Sequence, residues 1–98
     1  MITRIVKMHF QKERLQEFLR LFASAQKHIA AFDGCKSVEL KQDSLHENIL
    51  FTISIWESSE HLEQYRKSDL FKSVWQQTKQ YFESKAEAWS LHQINSHS

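Results

Sequence analysis

Apolar positions along the chain recur with two periods, and the alternation between those periods lays out the elements. In Ile2 to Phe10, Ile2, Val6, Met8 and Phe10 share one parity while Thr3, Lys7 and His9 share the other, which predicts a β-strand. Leu15, Phe18, Leu19, Phe22 and Ile29 then fall at helical spacing with Gln, Glu and Arg between them. That helix is expected to end near Phe32, because Asp33-Gly34 is a stop signal and Gly34 suits a left-handed position after a helix. Cys35 to Gln42 alternates again, Asp43 to Asn48 is polar enough for a turn, and Ile49 to Trp56 is the most strand-like segment of all. Ser58 reads as a helix N-cap with Glu60 in the first turn, where the helix dipole favours an anion. Leu62 and Tyr65 mark the inner face of this short helix, and Ser68-Asp69 reads as a second cap that restarts it at a new angle. Leu70, Phe71, Val74, Trp75, Thr78 and Phe82 continue as a helical stripe, residues 83–87 read as a charged loop, and Ala88 to Ile94 as a last strand. Asn95 to Ser98 is expected to be a loose tail.

The order is β-α-β-β-α-β, which predicts an α+β fold: a ferredoxin-like sandwich with helices over one face of a four-stranded antiparallel sheet. Ile49 to Trp56 is apolar on both parities, as a central strand is. The sheet face away from the helices therefore keeps apolar side chains. A bare apolar face on a small domain is usually an interface, so a homodimer made by stacking two sheets is expected.

Composition narrows the functions. Ninety-eight residues make one domain, residues 1–98, since domains usually run about 100–150 residues. The chain holds one Gly, no Pro and one Cys, too few glycines for a phosphate-cradling loop and too few cysteines for a disulfide framework or a cysteine-based zinc site. Its 13 Lys and Arg are interleaved with 12 Asp and Glu for a net charge of +1, which argues against a nucleic-acid partner. Ile49 to Trp56 is too short and too interrupted to span a membrane. No apolar signal core opens the chain, and a cytoplasmic location is expected. Cys35 reads as a reduced, small buried hydrophobe rather than a nucleophile.

The candidate chemistry is sparse. Six histidines, His9, His28, His46, His61, His92 and His97, form no helical pair or metal-binding run, and no metal is expected. Glu57, His61 and Tyr65 follow at i, i+4 and i+8 around the start of the second helical segment. Trp75 and Phe71 point inward on its continuation. These aromatics either fill the core or line a pocket for a flat apolar ligand with His61 or Tyr65 as its polar group, and the pattern leaves both open. Arg4 and Lys7 suit an anionic substrate or a carboxylate across a dimer.

Ser54-Ile55-Trp56-Glu57-Ser58, then His61-Leu62, Tyr65 and Ser68-Asp69-Leu70-Phe71, resemble the antibiotic biosynthesis monooxygenase family. So do Arg4 to Met8, the Phe32-Asp33-Gly34-Cys35 turn and Lys85 to Ser90. The resemblance implies a dimeric α/β barrel of ferredoxin-like protomers. It also implies an oxygenase that needs no metal or flavin, oxidising a small aromatic, polyketide- or quinol-like substrate with molecular oxygen. Substrate deprotonation would supply the reducing power, and the protein a base, orientation and a dry pocket. No position matches a family motif that fixes the base, which leaves His61, Tyr65 and His92 as candidates. His61 leads because its helix is expected to border the pocket and the usual pKa of histidine lies near neutrality. Tyr65, Phe71 and Trp75 would shape the pocket over a floor of Val6 and Met8, with Trp56 and His92 completing it. Haem-degrading relatives use Asn, Trp and His where this chain has Val6, Tyr65 and Trp75, which disfavours haem and leaves no cofactor expected. Other relatives process sugar-derived signalling molecules. The alternative from a different class is a non-catalytic, ligand-binding or stress-associated dimer.

Overall fold

The computed structural model describes residues 1–94; the expected tail, Asn95 to Ser98, lies outside the described residues. Four strands, β1 (Ile2–Phe10), β2 (Cys35–Gln42), β3 (Ile49–Trp56) and β4 (Phe82–His92), alternate with α1 (Leu15–Ala30), α2 (Ser59–Arg66) and α3 (Asp69–Lys79). The sheet is antiparallel throughout with order β2-β3-β1-β4, the ferredoxin-like arrangement, and β3 is central as its two apolar parities require. A single 3-10 turn at Lys12–Arg14 feeds α1.

Capping explains why the second helical segment breaks in two. Ser58 Oγ accepts from the His61 backbone N–H at 3.2 Å, and Ser68 Oγ accepts from that of Phe71 at 3.1 Å, so two N-terminal donors are satisfied at two separate starts. Gly34 sits at φ +86°, in the left-handed region that a side chain resists. It has a second reason to be glycine: a Cβ there would run into the His61 ring.

Cross-strand pairing sorts the two sheet faces. Ile2 lies opposite Trp56, Arg4 opposite Ser54, Val6 opposite Thr52 and Met8 opposite Leu50, all toward the helices. Against them pack Phe18, Phe22 and Ile29 of α1 and Leu62 of α2. The other face carries Ile5, Phe51, Ile53 and Ile55, with Trp89 and Leu91 at its β4 edge.

The last strand departs from the sequence expectation. Phe82 opens β4 rather than closing the helical stripe, and residues 83–87 are strand, not loop. The pairing of β4 with β1 shifts register between Lys7 and His9, so two residues oppose Met8 and the period-two pattern is broken there. As an edge strand with most residues exposed, β4 also lacks the burial alternation that reveals a strand. Two ion pairs are local: Arg14, at the end of the 3-10 turn, holds Glu17 of α1 at 2.7 Å, and Arg66 holds Glu63 within α2 at 3.5 Å.

Candidate functional site

A cavity of about 80 Å³ lies between the helices and the sheet. Met8 of β1 and Thr52 and Ser54 of β3 form its floor, and Tyr65 of α2 with Phe71 and Trp75 of α3 forms one wall. Phe18, Phe22 and Ile29 of α1 close the opposite side. The wall is a run of touching rings. Tyr65 stacks on Trp56 at 4.8 Å between centroids, meets Phe71 edge-on at 5.2 Å, and Phe71 stacks on Trp75 at 5.9 Å. Phe32, from the turn after α1, meets Tyr65 edge-on at 5.4 Å and fixes the ring from behind.

Polar groups in this lining are few and mostly engaged. Ser54 Oγ accepts from Trp56 Nε1 at 3.0 Å, and Thr78 Oγ1 donates to the Val74 carbonyl at 2.7 Å. Tyr65 is the ionisable group of the lining. Burial pushes its phenol well above the ordinary tyrosine range, and the nearby Cys35 adds to the shift, so at neutral pH it is a proton donor and not a base. Burial likewise pushes the Cys35 thiol up, away from the thiolate that nucleophilic chemistry needs.

The structure brings together Tyr65, Phe71, Trp75 and Met8 as expected positions around one space. It does not bring the others there. His61 does not line the cavity: its Nδ1 lies 2.7 Å from Ser58 Oγ, its Nε2 lies 3.7 Å from Asp33 Oδ2, and its ring covers Gly34. The imidazole is spent on joining α2 to the turn after α1. Trp56 is fully buried behind Tyr65, one layer back. Val6 shares the face of Met8 and packs on the core without lining the space. His92 lies opposite Ile2 near the end of β4 and is exposed. The hydroxyls of Thr52 and Ser54 were readable from the sequence as two polar residues on a parity otherwise held by Leu50 and Trp56.

No imidazole lines the cavity, so it offers no histidine as an axial ligand to a haem iron. Among the described residues, no group of three His, Cys, Asp or Glu side chains converges as a metal site. No described helix is long and apolar enough to cross a membrane. A second depression at the end of β1 is lined by His9, Phe10, Lys12, Glu13, Asn48 and Glu83, charges of both signs around a single phenyl ring rather than a run of them.

The family model for antibiotic biosynthesis monooxygenases matches residues 1–77, which carry the aromatic wall and the sheet floor. The chain belongs to that family. Among solved structures, a conserved Methanosarcina mazei protein is 23% identical with a TM-score of 0.89, covering 95% of this chain and 93% of its own. A Mycobacterium tuberculosis protein is 16% identical at 0.88, covering 99% and 98%. A structure described as an antibiotic biosynthesis monooxygenase is 13% identical at 0.90, covering 96% and 99%. Identities this low establish a shared fold. Among curated protein sequences none matches the chain. The antibiotic biosynthesis monooxygenase fold, in this chain, thus surrounds a small aromatic-walled space with a protonated phenol in its wall.

Proposed function

We propose that the cavity binds a one-ring phenol or quinol and that the protein is a monooxygenase that uses neither metal nor flavin. The observation that carries this reading is the cavity itself, walled by Tyr65, Phe71 and Trp75 over Met8, Thr52 and Ser54. Flat aromatic walls suit a flat ring, and a mostly apolar lining admits oxygen while excluding bulk water. The substrate ring supplies the electrons: a phenol plus O2 gives a quinone plus water, one oxygen atom retained and the other reduced. In this reading Tyr65, held protonated, donates a hydrogen bond to the oxygen that gains charge along this path. Size limits the substrate. The space of about 80 Å³ is below the roughly 150 Å³ apolar cavity that accepts benzene. The space is nearer the size of one ring than of a fused polycycle, which limits the substrate to a single ring.

The outer sheet face supports the companion proposal of a homodimer. Ile5, Phe51, Ile53 and Ile55 with the exposed Trp89 and Leu91 make an apolar surface that a second copy's sheet covers.

Oxygen uptake with a panel of one-ring quinols tests the activity. The protein is expected to accelerate it, and Tyr65→Phe to lower the turnover about a hundredfold, the usual loss on removing one donor to a developing oxyanion. Equal uptake with and without protein sinks the proposal. One observation favours a second reading, a ligand-binding dimer without turnover: no lining side chain is a base at neutral pH. Saturable quinol binding without accelerated uptake selects that reading.

A further inference from the structure

Between them, β1 and β3 place one charged side chain on the helix-facing side of the sheet, and it is Arg4. Its neighbours across the ladder are Ser54 on β3 and Ser90 on β4. The guanidinium Nη1 donates to Ser90 Oγ at 2.8 Å. Burial, and after it the neighbouring Arg66 guanidinium, press against its charge. Glu63 acts in the opposite direction, yet its carboxylate is held by Arg66 at 3.5 Å. Among the described residues, no carboxylate forms an ion pair with Arg4. An arginine stays charged in proteins and offers five N–H donors in a fixed fork. The hydroxyl of the exposed Ser90 takes one donor and leaves the rest of the fork to water or a ligand, and a second guanidinium nearby leaves excess positive charge around the half-buried Arg4.

Arg4 and Arg66 stand outside the cavity lining, each next to a residue that belongs to it. Ser54, opposite Arg4, is part of the cavity floor, and Tyr65, which precedes Arg66 on α2, is part of its wall. We propose that Arg4, with Ser90 and Arg66, receives the carboxylate of an aromatic acid whose ring occupies the cavity. The inference rests on the reading of the cavity as a ligand pocket and narrows the ligand to a phenolic acid. The apolar wall holds the ring, and the remaining donors of the Arg4 fork select the anion and fix its orientation.

Titration by quenching of tryptophan fluorescence, with Trp75 in the cavity wall, compares 4-hydroxybenzoate with its neutral methyl ester. The acid is expected to bind about tenfold more tightly, the typical worth of a hydrogen bond to a charged group. Raised ionic strength weakens the acid and leaves the ester unchanged. Arg4→Gln removes the preference by weakening the acid alone, Arg4→Lys restores part of it, and Arg66→Gln gives a smaller loss. An ester that binds the unaltered protein as well as the acid overturns the anion site while leaving the pocket standing. Binding of neither compound overturns both. Equal weakening of acid and ester by Arg4→Gln assigns Arg4 a structural role and also overturns the proposal. Should Arg4→Gln fail to fold, the acid-to-ester ratio of the unaltered protein and its salt dependence decide the matter alone.

Discussion

The helix-facing side of the sheet buries Trp56, Phe10, Met8 and Leu50 to 2% exposure or less. On the opposite side Ile53 and Ile55 are half-buried and Trp89 and Leu91 remain 43% and 48% exposed. Both sets come from similar strands, and β3 alone supplies Leu50 and Trp56 to one side and Phe51, Ile53 and Ile55 to the other. Hydrophobicity therefore does two different jobs in one strand. On the inner side it is satisfied within the chain; on the outer side it is available to a second molecule. Truncation tells the two apart. Trp56→Ala is expected to cost about 3–5 kcal/mol in chemical denaturation, because a large ring is removed from a packed site that cannot collapse around the void. Under the proposed homodimer, Ile53→Lys is expected to leave the folded chain intact and to lower its mass in sedimentation to that of one copy. A Trp56→Ala chain as stable as the parent, or an Ile53→Lys chain that sediments unchanged, breaks the distinction between the faces.

Legibility in the sequence follows the same division. β1, β2 and β3 and the two serine caps were readable because turn residues bound them and one parity of each strand is buried more deeply than the other. β4 was readable only in its second half, since the irregular pairing near Met8 breaks the period and an exposed edge has no buried parity to reveal it. The ring-lined cavity was legible as Tyr65, Phe71, Trp75 and Met8, while its hydroxyl floor left only a faint signal, because Thr52 and Ser54 read as interruptions of an apolar run. His61 is the instructive miss. Spacing of four residues places it near the face of Tyr65, but it stands in the first turn of α2, where Ser58 and Asp33 capture the ring. Helical periodicity fixes a direction around the axis; it does not say whether that end of the helix overlies the core.

The junction that captures His61 offers a sharper, smaller test between inner packing and rim packing. Gly34 has a left-handed backbone and lies under the imidazole. Gly34→Ala is expected to cost about 1–3 kcal/mol, from a conformation that side chains resist together with the steric conflict. Combining it with His61→Ala removes the conflict and leaves the backbone part, so the double variant is expected to be more stable than the sum of the two singles predicts. Strict additivity in urea unfolding dissociates Gly34 from His61. The effect stays below that of Trp56→Ala because the rim of the fold can adjust where the interior cannot.

The smallest effect concerns the one ionisable group in the cavity wall. Burial raises the Tyr65 phenol above its ordinary range, so the folded chain favours the neutral ring more than the unfolded chain does. The unfolded phenol loses its proton near pH 10. Below that pH both states hold the proton and Tyr65 adds no slope. Above it the unfolded state sheds a proton that the folded state keeps, and stability falls as pH rises. Tyr65→Phe removes this difference, so its unfolding midpoint in urea is expected to decline less steeply than the parent's above about pH 10. Lysine ionisation acts on both proteins alike, which leaves the difference between the two slopes to Tyr65. Identical slopes mean that the phenol reaches solvent. Its ring then belongs with the rim, like His61, and its hydroxyl is open to bulk water rather than reserved for a ligand.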